Sequence, residues 1–328
     1  MTIPTSSATT DCQRDLIVST DRFSGRTLAL VAMFVAVTSF SSSSSLIKWS
    51  ESTGSVVAFW RMIGAVLGWW AVLVVLHVRR GRPYPTRVAW RATLLPGLFF
   101  GANITLFFTA ITKTSIAHAE FIGALSPLVL LPLGALMFSE PPNWRALRWG
   151  GLSILGVALV LFFGPANGAS SIGGDVLMIG VLALWTGYLL SSKRARTSGV
   201  DTIDFMSCMM PVGILVAGPA AAMIAGGDMF ALSARGWLIV AVLVFLTGML
   251  SHGCIVFAQQ HIPVATIGIM QTAQPALAVC FAFLILGEAV RAPQVVGMVL
   301  VVGGLAFFTL SSQRAVNAAT RREATVTP

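Results

Sequence analysis

A proline–glutamate signature occurs twice, 148 residues apart, within sequence apolar enough to cross a membrane. Ser126-Pro127 is followed by Glu140 thirteen residues after the proline, and Gln274-Pro275 by Glu288 at the same distance. The same 148-residue step, laid without a gap over Ser115 to Leu161, pairs Ala117 with Ala265, Leu136 with Leu284, Leu152 with Leu300, Gly156 with Gly304 and Ala158 with Ala306. An internal repeat governs the whole fold. In a membrane chain it points to a transporter plan, with the site between two halves.

Of the 328 residues, 56% are hydrophobic and only 10% charged, against about 25% charged in ordinary soluble domains. Ten apolar segments can be placed, at about 27–47, 55–77, 92–111, 115–138, 145–163, 173–192, 204–225, 236–258, 264–286 and 293–311. Each approaches the ~20 residues that cross a bilayer as helix. The connections are too short for a soluble domain. The polar N-terminal stretch lacks the early apolar core and small-residue cleavage site of a signal peptide, so the first span is expected to be retained. Cys12, Cys208, Cys254 and Cys280 form no CxxC pair. The last three lie in apolar runs and read as small core hydrophobes, with no metal site or disulfide frame.

The basic residues set the orientation. With the N-terminus inside, sixteen of the 21 Lys and Arg fall in inner segments and four (Lys48, Lys113, Arg235, Arg291) in outer ones, leaving Arg61 within span two. The net charge of +9 is then an inner-face bias toward anionic lipid and excludes a nucleic-acid partner. Five spans per half is an odd number, so the second half enters the membrane upside down. The expected fold is therefore an all-α integral membrane protein of ten transmembrane helices, built as two inverted five-helix repeats. Residues 27–163 form the first repeat and 173–311 the second, with cytoplasmic tails at 1–26 and 312–328.

These features resemble the drug/metabolite transporter superfamily, specifically its EamA-type ten-span permeases. The resemblance covers nearly all of residues 27–311. It rests on SPLVLLPLGALMFSE and QPALAVCFAFLILGE, on the glycine-bearing spans after them, on VLALWTGYLLSSKRA in span six and on FWRMIGA in span two. The chain departs in span one, where FSSSSSLIKW replaces the usual Trp-Gly region. The resemblance implies transport of a small molecule, usually export, across the bacterial inner membrane. It fixes no substrate. With both halves fused, a functional monomer is expected, and a dimer stays open.

Glu120, Gly123, Ser126 and Pro127 of span four match Gly268, Gln271, Gln274 and Pro275 of span nine, and each set occupies one helical face. Polar stripes at membrane depth avoid lipid. They either line a cavity or pack helices together. The prolines remove backbone hydrogen bonds and loosen both helices, serving a ligand or only a bend. Asn103 of span three matches Ser251 of span eight, beside His252; packing hydrogen bonds are the simpler reading. Gln259 and Gln260 are expected at the membrane interface. Trp185 and Tyr188 share a face of span six, and a 145-residue step aligns Phe40 with Trp185. Aromatic rings there line a cavity and stack on flat or cationic solutes, or simply pack the core.

Ionisable groups within spans are functional candidates by default. Arg61, His118 and Glu120 all lie toward the outer side, and the repeat partners of the last two, Thr266 and Gly268, are uncharged. One expectation is a structural Arg61–Glu120 ion pair. Another is proton exchange at Glu120 and His118, and a third is an Arg61 that engages a substrate carboxylate. Glu140 and Glu288 are expected to cap or pair structurally. No Walker A loop, HExxH or GxSxG is present, so neither ATP-driven transport nor a hydrolase is expected, and no cofactor is implied. A secondary exporter of small metabolites such as amino acids leads. Behind it stand an uncoupled facilitator, multidrug efflux and, further off, a sensor or membrane enzyme.

Overall fold

The computed structural model describes residues 8–50, 54–111, 122–139, 144–163, 172–287 and 290–326. Ten helices, and no strand, occupy the described residues. We number them α1 (Ala8–Trp49), α2 (Gly54–Arg80), α3 (Arg87–Ile111), α4 (Ser126–Phe138), α5 (Trp144–Phe162), α6 (Ile172–Thr197), α7 (Thr202–Ala225), α8 (Ala234–Ala258), α9 (Val264–Leu286) and α10 (Ala292–Val326). Six stretches are long and apolar enough to cross a bilayer: Gly25–Ile47, Val56–Arg80, Ile172–Thr197, Thr202–Met223, Ala234–Ala258 and Val264–Leu286. Helix α1 begins at Ala8 and α10 continues to Val326, so helix runs through much of the segments expected as tails. His118, Glu120, Glu140 and Glu288, with the expectations attached to them, lie outside the described residues.

The two halves are interleaved. Helix α3 lies along α6 and α7, while α8 lies along α1 and α2; α1 packs with α9 and α4 with α6. Adding five to each helix number, and counting past ten from one, converts each of these pairings into another. The remaining major contacts join equivalents directly: α2 with α7, α4 with α9 and α5 with α10. Each half therefore buries its apolar surface mainly against the other. Leu67, Phe162, Leu215 and Met223 stand exposed on the outside, as side chains facing acyl chains do.

Local chemistry explains where the helices start and break. Asp201 caps α7, its side chain accepting from the backbone N–H groups of Ile203 and Asp204, and Ser233 caps α8 by accepting from Gly236 N. The repeat extends to the backbone. Leu125 N donates to Ile122 O at 3.1 Å, and Ala273 N, 148 positions on, donates to Met270 O at 3.3 Å. Both tight turns precede a proline that cannot supply the usual helical donor. Pro275 has no N–H to offer the carbonyl of Gln271, nor Pro127 that of Gly123. The C-terminal ends match as well: Ser139 and Gly287, again 148 apart, both take the left-handed conformation, with φ of 53° and 68°.

Helix α8 has no such match in α3. Its middle, Val244–Ser251, is a π-helix, a local widening often found at functional sites. Ser251 Oγ donates to Leu246 O, five residues back, at 2.7 Å.

Two expectations need correction. Gln259 is fully buried, not interfacial: its amide donates to Leu189 O at 3.0 Å, tying the α8–α9 turn to α6. Of the cysteines expected in the core, Cys280 is exposed, on the surface of α9.

Candidate functional site

The two broken helices meet. A Cβ added at Gly268 would lie 2.8 Å from Leu130 Cδ1 and 3.4 Å from Pro127 Cα, so α9 crosses α4 at the proline break. Ser126, Pro127, Gly268, Gln271 and Pro275 are buried there and Gln274 is half-buried, whereas Gly123 is exposed with open space beside it. One turn beyond Gly268, Gln271 Oε1 accepts from Trp185 Nε1 at 3.3 Å. The stripe of α9 is thereby joined to the aromatic face of α6.

Trp185 packs on Tyr188 with ring centroids 5.1 Å apart. Both rings face His252 of α8, at 6.3 Å and 6.1 Å. Phe40 of α1 and Phe100 of α3 close the box, each edge-on to the imidazole at 4.9 Å and 4.7 Å. Four helices thus place four aromatic rings and one histidine at a single point. Phe40 and Trp185, aligned by sequence across the repeat, both touch His252.

Arg61 enters from α2. Its Nη1 donates to Thr247 Oγ1 at 3.0 Å, and Thr247 passes its own proton to Leu243 O at 2.8 Å. Thr247 is fully buried and Arg61 half-buried, so the guanidinium reaches the bundle interior while some of its surface stays open. Among the described residues Thr247 is its one hydrogen-bond partner and no carboxylate pairs with it. Thr247 precedes His252 by five residues and lies on the π-helical stretch that ends at Ser251. A partly buried cation with one neutral partner among the described residues keeps several N–H donors for a solute anion.

Asn103 and Ser251 do not join this group through hydrogen bonds. Asn103 Nδ2 donates to Val181 O at 2.9 Å, which ties α3 to α6, and Ser251 serves the π-helix. Sequence reading missed Thr247 and Phe100, took Phe40 only as a repeat partner, and gave His252 a packing role. The available signal was a histidine deep in an apolar span. No metal-holding group of His, Cys, Asp and Glu occurs among the described residues.

Closures at the two ends of the bundle differ in chemistry. At one end, Arg82 of the α2–α3 loop bridges Asp201 and Asp204 at the start of α7, the latter at 2.9 Å. At the other, Trp60 near the start of α2 donates to Met229 O at 2.6 Å and packs on Phe230 and Trp237. The repeat exchanges these locations, so an ionic contact is matched by an aromatic one.

Interleaved inverted halves around a polar, aromatic centre define a multi-pass membrane protein of the transporter class. The EamA-like transporter family matches residues 24–162 and 172–310, and the chain belongs to that family. It is 25% identical to the threonine/homoserine exporter RhtA of Salmonella typhimurium (strain LT2) over 246 residues, 71% of this chain and 77% of the relative. It is 24% identical to RhtA of Escherichia coli (strain K12) over the same shares. A solved crystal structure shares the fold with a TM-score of 0.68 and 19% identity, covering 88% of this chain and 98% of its own.

Proposed function

We propose that this chain exports small zwitterionic amino acids of the threonine and homoserine type by alternating access. The observation that carries the reading is Arg61, a cation that reaches the bundle interior and whose one hydrogen-bond partner among the described residues is the neutral hydroxyl of Thr247. The carboxylate common to all amino acids satisfies it by a charge-assisted, two-pronged hydrogen bond. The RhtA relatives supply the solute class.

Alternating access is supported by unequal packing of repeat equivalents. The second half of α9, Gln274–Leu286, lies closely along α1, whereas its equivalent, Ser126–Phe138, meets α6 sparsely. Exchange of these two arrangements opens the centre first to one side and then to the other. With the N-terminus inside, the sparse contact is the cytoplasmic one, and the state described receives solute from the cytoplasm. Proton exchange at His118 and Glu120 would drive release; Glu120→Gln then abolishes the pH dependence of transport.

Counterflow in proteoliposomes tests the reading. Internal threonine or homoserine should drive saturable uptake of labelled threonine, and threoninol, which lacks the carboxylate, should not. Arg61→Ala should lose this exchange while retaining the thermal stability of the purified protein. Undiminished threonine exchange by a folded Arg61→Ala variant rejects the assignment of Arg61. Non-saturable flux without counterflow favours a facilitator.

A further inference from the structure

The seven buried side-chain atoms without a hydrogen-bond partner among the described residues include His252 Nδ1, Tyr188 Oη and Ser192 Oγ. His252 is 2% exposed, and Tyr188 and Ser192 are fully buried. Most polar neighbours on the same two helices are satisfied: Trp185 by Gln271, Thr186 by Leu182 O, Ser191 by Gly187 O, Thr247 by Leu243 O and Ser251 by Leu246 O. His252 Nδ1 and the adjoining Tyr188 and Ser192 hydroxyls therefore stand out from these neighbours. Tyr188 and Ser192 are one turn apart on α6 with their hydroxyls near enough to interact with each other, and the Tyr188 ring stands edge-on to His252. Buried polar groups in an apolar surround are expected to find partners, and a solute is the partner a transporter admits.

The donors and acceptors define what fits. Two hydroxyls and an imidazole nitrogen offer both roles, as does a hydroxyl on the solute. A carboxylate is better served by Arg61. Phe40, Phe100 and Trp185 leave these polar atoms facing apolar walls, which suit a short carbon chain. Thr247, the anchor of Arg61, stands five residues before His252 on α8, so one helix carries both the support of the carboxylate partner and the box.

We propose that the box around His252 recognises the side-chain hydroxyl of the transported amino acid, with His252 Nδ1, Tyr188 Oη and Ser192 Oγ as its hydrogen-bond partners. This rests on the reading of Arg61 as the carboxylate partner and goes further, to the group that sets side-chain specificity. A site built to bond a hydroxyl discriminates strongly against the analogue lacking it, because its own polar groups are then left unpaired.

The test compares counterflow of threonine with valine, and of homoserine with norvaline, in wild type, Tyr188→Phe and His252→Asn. Wild type should prefer the hydroxylated member of each pair by at least about tenfold in transport efficiency. In both variants that ratio should fall about tenfold or more, with valine and norvaline exchange retained. Threonine should raise the melting temperature of wild type and fail to do so for Tyr188→Phe. That variant should remain folded, with a melting transition close to that of solute-free wild type. An unchanged ratio in both folded variants overturns the proposal, as does a wild type that exchanges both members of each pair equally in an Arg61-dependent manner. Absence of any amino-acid counterflow in wild type instead overturns the exporter reading beneath it, and this proposal with it.

Discussion

Ser153 Oγ donates to Val301 O at 3.2 Å, and these two residues are repeat equivalents 148 positions apart. Contact between equivalents places the pseudo-two-fold axis between α5 and α10. The helices approach closely because glycines face each other. A Cβ at Gly156 would lie 2.6 Å from Gly297 O and 2.8 Å from Val301 N, and one at Gly297 would lie 2.7 Å from Gly156 O. Backbone atoms cannot rotate away as a side chain does. Gly156→Ala and Gly297→Ala should each cost about 1–3 kcal/mol as overpacking, read as a lower melting temperature in detergent. Gly303→Ala, with nothing within 4 Å of its Cβ, should not lower it. Equal effects at all three positions would show that helix flexibility, not close approach, explains the glycines.

The ends of the two broken helices carry the same backbone turn on different residues. Ser139 adopts φ 53° where Gly287 adopts φ 68°. A side chain in the left-handed region costs roughly 1–2 kcal/mol that glycine avoids. Ser139→Gly is therefore expected to raise thermal stability and Gly287→Ala to lower it. Opposite signs of the two shifts in one melting experiment provide the check.

Arg82 holds the α2–α3 loop to α7 through Asp201 and Asp204. Partial burial alone would lower the guanidinium pKa; hydrogen bonding and charge from the two aspartates outweigh it and hold the pKa above its ordinary value. Asp201 also caps α7. Loss of a helix cap typically costs about 1 kcal/mol, whereas a partly exposed ion pair contributes about 0–1 kcal/mol. Asp201→Ala should therefore lower the melting temperature more than Asp204→Ala. High salt should narrow the gap between wild type and Asp204→Ala and leave the capping deficit in place. A salt-insensitive Asp204→Ala deficit would contradict the ionic account.

His261, an exposed residue in the turn between α8 and α9, lies below the usual histidine pKa because its ring is partly desolvated and Arg196 adds a like charge. Near neutral pH the group is uncharged in both folded and unfolded chains and contributes nothing. As pH falls through the ordinary value of about 6.5, the unfolded chain takes up the proton first, so stability declines. The melting temperature should thus drop between pH 7.5 and pH 5.5, and His261→Gln should show a smaller drop. A variant with an unaltered pH profile would assign the acid sensitivity elsewhere.

Architecture was legible in the chain because the physics behind it repeats. Apolar length sets each span, and a proline followed at fixed distance by a span end recurs in both copies; both patterns survive in a single sequence. The partnering of helices was only half legible. The repeat step predicts that equivalent faces approach, as Pro127 and Gly268 do, but nothing local says that α3 lies along α6 or α8 along α1. The centre was the least legible. Thr247 reads as an ordinary mid-span threonine until the π-helix brings it to Arg61, and Phe100 as another lipid-phase aromatic until α3 turns it onto His252. Asn103 shows what can be read: a polar residue at membrane depth, expected to make a packing hydrogen bond, whose amide donates to Val181 O.

Thr247 joins the backbone of α8 to the charge on α2. Its hydroxyl accepts from Arg61 and donates to Leu243 O, so its direction is fixed and its lone pair points at the guanidinium. A hydrogen bond to a charged group contributes about 1.5–3 kcal/mol, and without it Arg61 has several rotamers to choose from. Thr247→Val preserves volume and removes the acceptor. If Arg61 binds carboxylate, the KM for threonine counterflow should rise about tenfold, corresponding to ~1.4 kcal/mol, with the maximal rate little changed, because the lost term orients the ground-state complex. Thr247→Ser restores the acceptor and should restore the KM. A fall in maximal rate at constant KM would place Thr247 in the conformational exchange between the two access states, since α8 packs on both α1 and α2. The split between KM and rate, with the serine variant as the internal control, separates a positioning hydroxyl from a hinge.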